Sequence, residues 1–381
     1  NLHAPDMWTA ISQRDIMVHH PYETFETIEN FVRLAATDPS VLAIKQTLYR
    51  VSSKSPIIAA LAQAAENGKQ VTVLMEVKAR FDEENNIHMA AKLEKAGCHV
   101  IYGIMGLKTH SKITLVVRRE EDGIKRYVHL ATGNYNGKTA RIYTDVGILT
   151  SDPLIGVDAS AFFNLLSGYS DPPYWNKLAV APLNLRQRIY EEIDQETAWA
   201  RQGKKALIIA KMNSLLDKKV IARLYEASQA GVKIKLIVRG ICVLRPEVPG
   251  LSDNIEVHSI VGRYLEHSRL FYFYNNGRED VFISSADWMP RNLNERVELM
   301  TPVEYEPHKE RVKGILNLYF NDNVKAYAMN SDGTYRYLAD TRTGKPVHAQ
   351  AMLQREAEEH TRQLQKKDIK TRVLRRTSGD K

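Results

Sequence analysis

The feature that most constrains the fold of this chain is a helix-then-strand unit that occurs twice in the sequence. Residues 55–68 begin with Ser-Pro, continue with periodic apolar positions and end with Asn-Gly, and residues 71–77 form a nearly continuous apolar run. Residues 217–231 and 232–238 repeat this order, with Asp before the helix and Gly after it. Capping residues, a proline in the first turn and a terminal glycine predict helices, and the apolar runs predict strands buried on both faces. The repeat therefore predicts two similar α/β units.

A further strand candidate precedes each helix, at residues 41–49 and 206–212, so each half has a β-α-β order. The chain has 381 residues, which is longer than a single core usually supports. Paired prolines in Asp171-Pro-Pro-Tyr-Trp175 disfavour both helix and central strand, so the boundary is expected there. We expect two α/β domains, residues 1–176 and 177–381, each a mixed sheet flanked by helices, the second with a basic tail.

Composition excludes several classes of protein. Hydrophobic residues make up 44% and charged residues 26% of the chain, as in ordinary globular proteins. The sequence has no apolar run of about 18 residues, and the start of the chain lacks the pattern of a secretory signal. Only Cys98 and Cys242 are present, so a disulfide framework or structural zinc is not expected. We expect a cytoplasmic protein with reduced thiols.

The positive charge of the chain is concentrated at its end. The formal net charge is +8, and residues 362–381 contain eight basic and two acidic residues, a net of +6. Such a tail is typical of a solvated terminal helix. The alternative is an arm that attracts a polyanion or the anionic inner face of the cell membrane, which would make the protein peripheral there.

The residues that indicate chemistry lie in two matching segments. The first contains His110, Lys112 and, further on, Asn134; the second contains His267 and Arg269. On a strand, residues two apart project to the same face, so each segment can place an imidazole beside a fixed cation. That pairing suits covalent transfer of phosphate to a histidine. No buried aspartate that could orient His110 is visible in the sequence, so its tautomer stays unassigned.

These segments resemble the phospholipase D superfamily, whose motif reads H-x-K-x4-D followed by G-S-x-N, with one copy in each half of a shared active site. The match is partial. Val117 and Tyr274 occupy the positions of the two motif aspartates, Arg269 replaces the second lysine, and Asp287 replaces the second asparagine. Because the aspartate belongs to the hydrolytic signature, these differences argue against an ordinary lipase or nuclease.

With further motifs, the chain more closely resembles the bacterial polyphosphate kinase family over nearly its whole length. The additional motifs are Ala-Arg-Phe-Asp-Glu-Glu at 79–84, His-Leu-Ala-Thr-Gly-Asn-Tyr-Asn at 129–136, Ala-Arg-Ile-Tyr-Thr-Asp at 140–145 and Val-Arg-Gly at 238–240. The resemblance implies two phospholipase-D-like domains, ATP as donor with ADP as product, Mg²⁺, and reversible extension of inorganic polyphosphate. It also implies a homo-oligomer without a specific nucleic-acid partner, and amino-terminal domains that precede this chain, which begins at Asn1.

The resemblance also implies roles for individual residues. His110 is the residue that becomes phosphorylated, with Lys112 and His267 as further catalytic residues. The residues expected to bind substrate are Tyr143, Arg239, His267, Asp145, Arg269 and Asn134. Without the resemblance, Tyr143 and Asp145 would be interpreted as packing and turn residues. His129 lies near the motif and its role stays open.

Arg50 and Arg80 fall at the family's magnesium site. A guanidinium has five donors and no lone pair, so it cannot be an ordinary metal ligand. We therefore interpret both arginines as phosphate clamps, with magnesium held mainly by phosphate oxygens and water. The alternative for both is a salt bridge at a strand end.

The expected mechanism is in-line attack by neutral His110 on the γ-phosphate of ATP, followed by transfer to a chain end. Arg50, Arg80, Lys112, Arg239 and Arg269 would stabilise charge, and His267 would assist. One alternative function is a phospholipase-D-type phosphodiesterase acting on nucleic acid or lipid. Another is a module that binds polyanions without catalysis.

Overall fold

The computed structural model describes residues 4–49, 55–76, 83–168, 174–341 and 343–377, and the side chains of residues 7–366 within those ranges. The helices described in the first half are α1 Ala4–Gln13, α2 Glu26–Thr37, α3 Pro56–Glu66, α4 Glu83–Lys95 and α5 Pro153–Leu166. The strands described there are β1 Ile16–His20, β2 Val41–Leu48, β3 Gln70–Met75, β4 His99–Tyr102, β5 Lys108–Thr109, β6 Ile113–Glu120, β7 Gly123–Ala131 and β8 Tyr143–Thr150.

The second half follows the same scheme. Its helices are α6 Leu185–Arg201, α7 Lys218–Gln229, α8 Pro290–Asn294, α9 Glu306–Phe320 and α10 Ala349–Thr377. Its strands are β9 Ala179–Ala181, β10 Leu207–Met212, β11 Lys233–Val238, β12 Ile255–Ile260, β13 Leu265–Glu266, β14 Arg269–Phe273, β15 Asp280–Ser284, β16 Arg296–Pro302, β17 Ala326–Met329 and β18 Tyr335–Tyr337.

The strands form two mixed sheets. The first has the order β1-β8-β7-β6-β2-β3-β4, and the second has the order β18-β17-β12-β11-β10-β14-β15-β16-β5, with β9 also paired to β16. Neighbours within β2-β3-β4 and β10-β11-β12 are parallel, and most other pairs are antiparallel. The prediction of two α/β units with mixed sheets flanked by helices is confirmed. The boundary at residue 176 stays a prediction.

The repeated helix-and-strand unit forms as the sequence indicates. Asp217 accepts hydrogen bonds from the backbone N–H groups of Lys219 and Val220 and so caps α7. Gly68 and Gly231 follow α3 and α7 with φ of +80° and +101°, a conformation that glycine adopts without strain. The first helix differs from the prediction at its start. Ser55 has an extended backbone there, but its side chain makes no capping hydrogen bond.

Each half contributes one short strand to the sheet of the other half, and we call these two strands, β13 and β5, the lent strands. β13 pairs in parallel with β8 of the first sheet, and β5 pairs in parallel with β16 of the second sheet. His110 and His267 each come directly after one of these lent strands. The prediction that His110 and Lys112 lie on one strand is wrong, because residues 110–112 are a link between β5 and β6 that is held by the other half of the chain. There, the N–H groups of His110 and Ser111 both donate to the carbonyl of Val297, at 2.9 Å each.

Apolar packing also joins the two halves. One hydrophobic cluster contains Val146 and Ile148 of β8 together with Leu270 of β14 and Leu316 of α9. A second cluster contains residues of β6 and α5 together with Val297 and Leu299 of β16. The two halves therefore share parts of one hydrophobic core. Because this core is closely packed, it fixes the positions of the two lent strands relative to each other. None of the described helices is long and apolar enough to span a membrane.

Candidate active site

The register of the lent strands places each histidine opposite a carboxylate of the other half. Lys108 and Thr109 pair with the first two residues of β16, and Leu265 and Glu266 pair with the first two residues of β8. The third residue of β16 is Glu298, and the third residue of β8 is Asp145. His110 follows β5 and His267 follows β13. If each pairing is continued by one residue, His110 lies opposite Glu298 and His267 lies opposite Asp145.

His110 is held at Nδ1 by Glu298. The distance from Nδ1 to Oε2 of Glu298 is 2.9 Å, and the glutamate side chain is fully buried. Glu298 also accepts from Oγ of Ser285 at 2.5 Å and from Nδ2 of Asn292 at 2.6 Å. Burial, together with the nearby charge of Lys112, lowers the pKa of His110 well below its usual range. Burial raises the pKa of Glu298 to about 7 against the opposing charge of Lys112. In its ionised form Glu298 accepts from His110, and the neutral imidazole then carries its proton on Nδ1 and leaves the lone pair of Nε2 available.

His267 is held in the same way but has a second partner. Its Nδ1 lies 2.8 Å and 3.0 Å from the two carboxylate oxygens of Asp145, which also accepts from Oγ1 of Thr132 at 2.6 Å. Burial raises the pKa of Asp145, but the charges and hydrogen bonds of His267, Thr132 and Arg269 together outweigh it, and the pKa falls to about 2. Burial lowers the pKa of His267 despite that carboxylate. His267 also accepts at Nε2 from Nη1 of Arg269, at 3.2 Å, whereas no hydrogen bond within the described residues engages Nε2 of His110.

Arg269 is held in place by two hydrogen bonds to the carboxylate of Asp287. Its Nε and Nη2 lie 3.1 Å from the two oxygens of Asp287, and its Nη1 also donates to the carbonyl of His267 at 2.8 Å. Asp287 in turn accepts from the backbone N–H and the side-chain amide of Asn213, at 2.7 Å and 3.1 Å. Asn213 accepts from Nε of Arg239 through its side-chain oxygen. Relative to the motif, Asp287 replaces an asparagine and Arg269 replaces a lysine. The two replacements are complementary, because the carboxylate of Asp287 binds the guanidinium of Arg269.

Two cations lie beside His110 in addition to Arg269. Lys112 is 2% exposed, its Nζ donates to the carbonyl of His110, and burial lowers its pKa to about 7. Arg296 begins β16, and its positive charge lowers the pKa of His110. Nε of Arg296 is buried without a hydrogen-bond partner among the described residues. Sequence reasoning missed Arg296, although it stands where Tyr143 stands in the first half, as the first residue of the strand that receives a lent strand.

Aromatic rings flank both histidines. The ring of Tyr143 lies 5.2 Å from that of His267, and the ring of Tyr49 lies 5.2 Å from that of His110, nearly perpendicular to it. Asn134 has a buried Oδ1 without a partner in the described part of the chain. Gly133, just before it, leaves room for the carboxylate of Asp145, because a Cβ there would come within 2.7 Å of Cβ of Asp145.

The structure thus brings together most of the residues predicted from sequence. Those at or beside the two histidines are His110, Lys112, Tyr143, Asp145, Arg239, His267 and Arg269. The geometry shows Asp145 as the partner that orients His267, whereas the sequence predicts a substrate contact. His129 is buried and bonds Oη of Tyr135 through Nδ1 at 2.9 Å, which indicates a structural role. Arg50 and Arg80 lie outside the described residues.

The carboxylates of the described site do not form a magnesium site. Glu298, Asp145 and Asp287 each accept from N–H or O–H donors, whereas Mg²⁺ needs several free oxygens in octahedral geometry. The one acidic group in the described residues with metal-ligand spacing is Glu279, Glu306 and Glu310. Its members pair with Lys313 and Lys309 instead.

The chain matches two family models in order. They are described as polyphosphate kinase C-terminal domain 1, over residues 6–172, and polyphosphate kinase C-terminal domain 2, over residues 178–350. Curated relatives named polyphosphate kinase include one from Halalkalibacterium halodurans, 58% identical over 91% of this chain and 49% of its own length. Another, from Bacillus anthracis, is 58% identical over 89% of this chain and 48% of its own length. The chain spans about half the length of the curated relatives it matches.

Two solved structures have the same fold. The crystal structure of polyphosphate kinase from Porphyromonas gingivalis matches with a TM-score of 0.86 and 40% identity, over 92% of this chain and 54% of that one. The crystal structure of phosphatidylserine synthase from Haemophilus influenzae Rd KW20 matches with a TM-score of 0.56 over 94% of this chain and 95% of that one. At 10% identity, the second likeness concerns the fold alone.

Proposed function

The chain belongs to the polyphosphate kinase family, and from this membership we propose that it transfers the terminal phosphate of ATP reversibly to a polyphosphate chain through a phosphohistidine on His110. The observation that carries the proposal is the inequality of the two histidines. Both are oriented at Nδ1 by a carboxylate, but Nε2 of His267 is engaged by Arg269, whereas no hydrogen bond within the described residues engages Nε2 of His110.

The first step is in-line attack by Nε2 of His110 on the γ-phosphorus of ATP. A nitrogen–phosphorus bond forms, the bond to the bridging oxygen breaks, and ADP leaves with that oxygen's negative charge. The imidazole becomes positively charged, and Glu298 stabilises that charge through Nδ1–H. Transfer to a terminal oxygen of polyphosphate then reverses these changes and restores neutral His110.

The cations around His110 would bind the transferring phosphoryl group. Such a group carries charge on its three non-bridging oxygens, and fixed positive charges stabilise it. Lys112, Arg269 and Arg296 are near enough to lower the pKa of His110, and Arg239 is held through Asn213 near Arg269 and Asp287. Asn134, with its unpartnered oxygen, is the remaining proposed polar contact with substrate.

His267 would position the phosphoryl group and Arg269 without becoming phosphorylated. A neutral His267 accepts a hydrogen bond from Arg269 and so holds the guanidinium where the two halves of the chain meet. Tyr143, packed against the ring of His267, is proposed to contact the nucleotide. Magnesium would reach this site bound to the phosphate oxygens of ATP.

A phospholipase-D-type phosphodiesterase would use the same two histidines. Its motif aspartates are replaced by Val117 and Tyr274, which pack against hydrophobic clusters in this structure. These positions therefore contribute to the core and offer no hydrolytic carboxylate. A homo-oligomer and a cytoplasmic location with membrane contact through the basic tail are further proposals.

The proposal predicts labelled polyphosphate and ADP when the chain is incubated with γ-labelled ATP, polyphosphate and Mg²⁺. The His110→Ala variant should lose both products. His88→Ala is the matched control, since His88 is an exposed histidine of α4, and it should keep full activity. Turnover by His110→Ala at the wild-type rate would refute the proposed function.

A further inference from the structure

A single side chain of the last helix holds the segment that carries His267. Gln350 lies in the first turn of α10 and is 2% exposed. Its Oε1 accepts from the backbone N–H of Tyr264 at 3.1 Å, and its Nε2 donates to the carbonyl of the same residue at 2.9 Å. The side-chain amide thus pairs with Tyr264 as a neighbouring strand would, three residues before His267.

The same amide continues into a buried polar network. Nε2 of Gln350 donates to Oε1 of Glu266 at 2.6 Å. The other oxygen of Glu266 accepts from Oγ1 of Thr144 at 2.8 Å and lies 3.1 Å from Nζ of Lys211. Oγ1 of Thr144 accepts from the backbone N–H of His267 at 3.2 Å. Gln350 is therefore linked to the backbone of His267 through two side chains, one in each half of the chain.

Two further features keep Gln350 in this position. Asp322 is fully buried, and its Oδ2 accepts from the N–H of Ala349 at 2.7 Å, which fixes where α10 begins. Gly262 provides the space for the amide, because a Cβ there would lie 2.8 Å from Cδ of Gln350. An exposed glutamine on a terminal helix would need neither a buried anchor nor a glycine facing it.

We propose that Gln350 is a positioning residue for His267 and that it makes the carboxyl-terminal helix α10 a part of the active site. Without the amide, Tyr264 and Glu266 lose buried partners, and β13 can shift along β8. His267 would then move away from Asp145 and Arg269. The effect on catalysis rests on the proposed function, whereas the effect on the geometry of His267 does not.

The test compares Gln350→Ala with Gln354→Ala, a glutamine one turn further along α10 whose contact with Oη of Tyr264 is long, at 3.4 Å. The first readout is the Nδ1 proton of His267 in spectra of histidine-labelled protein, assigned with His267→Gln. Gln350→Ala should shift or broaden this signal and leave that of His110 in place, and Gln354→Ala should change neither. The second readout is kcat, which should fall by about 10-fold to 10²-fold in Gln350→Ala, with KM for ATP changed less than about 2-fold.

A second variant keeps the proposal testable if Gln350→Ala does not fold. Gly262→Ala displaces the amide from the opposite side, so it should reproduce the change at His267, and it should add nothing in the Gln350→Ala background. An unchanged His267 signal in either single variant, or effects that add in the double variant, would overturn the proposal. A shifted signal in a chain whose wild type transfers no phosphate would refute the proposed function and support the positioning role.

Discussion

The replacement Glu298→Gln tests how His110 is activated. Glu298 accepts from His110 and Ser285 at Oε2 and from Asn292 at Oε1. If the new amide nitrogen faces His110, it donates to Nδ1, moves the proton to Nε2 and removes the nucleophilic lone pair. If the amide oxygen faces His110, the unpartnered Oδ1 of Asn292 can turn to accept the new N–H, and the tautomer is kept but the negative charge is lost.

Both orientations predict a rate loss of similar size. Burial raises the pKa of Glu298 to about 7, so the comparison applies above that pH, where the carboxylate is ionised. Its charge then lies 2.9 Å from Nδ1, and the charge centres are about 4 Å apart, which is worth about 4 kcal/mol at an effective dielectric constant of about 20. That energy corresponds to about 10³-fold in rate. A wrong histidine tautomer costs a comparable factor, about 10⁴-fold, in serine proteases. We therefore expect the phosphoenzyme to form about 10³-fold more slowly in Glu298→Gln.

The assay is rapid-quench measurement of acid-labile, base-stable label on the protein from γ-labelled ATP. The matched control is Glu192→Gln, which replaces another buried glutamate, one that contacts Arg188 within α6. Both variants should have circular dichroism spectra like that of the wild type, and the control should label at the wild-type rate. A Glu298→Gln rate within about threefold of the wild type would show that Glu298 neither orients His110 nor balances its charge.

Three further outcomes are expected. Burial lowers the pKa of Lys112 to about 7 and raises that of Glu298 to about 7, so kcat/KM for ATP should rise toward that pH as the carboxylate ionises and fall above it as the cation is lost. Lys112→Arg should abolish the fall and Glu298→Gln the rise; a fall unchanged in Lys112→Arg would assign it to another group. Gly133→Ala crowds Asp145 and should slow labelling by about 10-fold or more, whereas Gly314→Ala, with open space around it, should not; equal rates in the two would contradict this role of Gly133. Burial lowers the pKa of His258 from 6.5 to about 4, so stability is retained above about pH 6.5 and lost as pH falls toward 4; urea unfolding of His258→Gln should show up to about 3 kcal/mol less loss over that range, and identical losses would contradict it.

Local patterns were enough to predict the helices and strands of the repeat. Asp217 and Gly231 bound α7 because a capping carboxylate and a left-handed glycine act within one turn of chain. The lent strands were not predictable in this way, because β5 and β13 have two residues each and are defined by their partners in the other half. The same limit applies to residues 110–112, which the sequence predicts on a strand and which instead link β5 to β6.

The sequence predicts the site residues that belong to recognisable motifs. It does not predict those that reach the site only through pairing between strands of the two halves. Glu298 lies in the apolar run Val-Glu-Leu-Met at 297–300, and Asp145 precedes Val-Gly-Ile-Leu in the same manner. A charged residue at matching places in two buried strands is a signal that a comparison of the repeats could have used. Arg296 offers no such local signal, since its role follows from the register of β5 against β16.

The central claim is that His110, and not His267, carries the phosphoryl group. It is tested most directly by mass spectrometry of the labelled chain digested under mild alkali, which preserves phosphohistidine. We predict phosphate only on the peptide that contains His110, at a level that Glu298→Gln reduces. Phosphate on the peptide that contains His267 would contradict the account and reverse the roles of the two histidines.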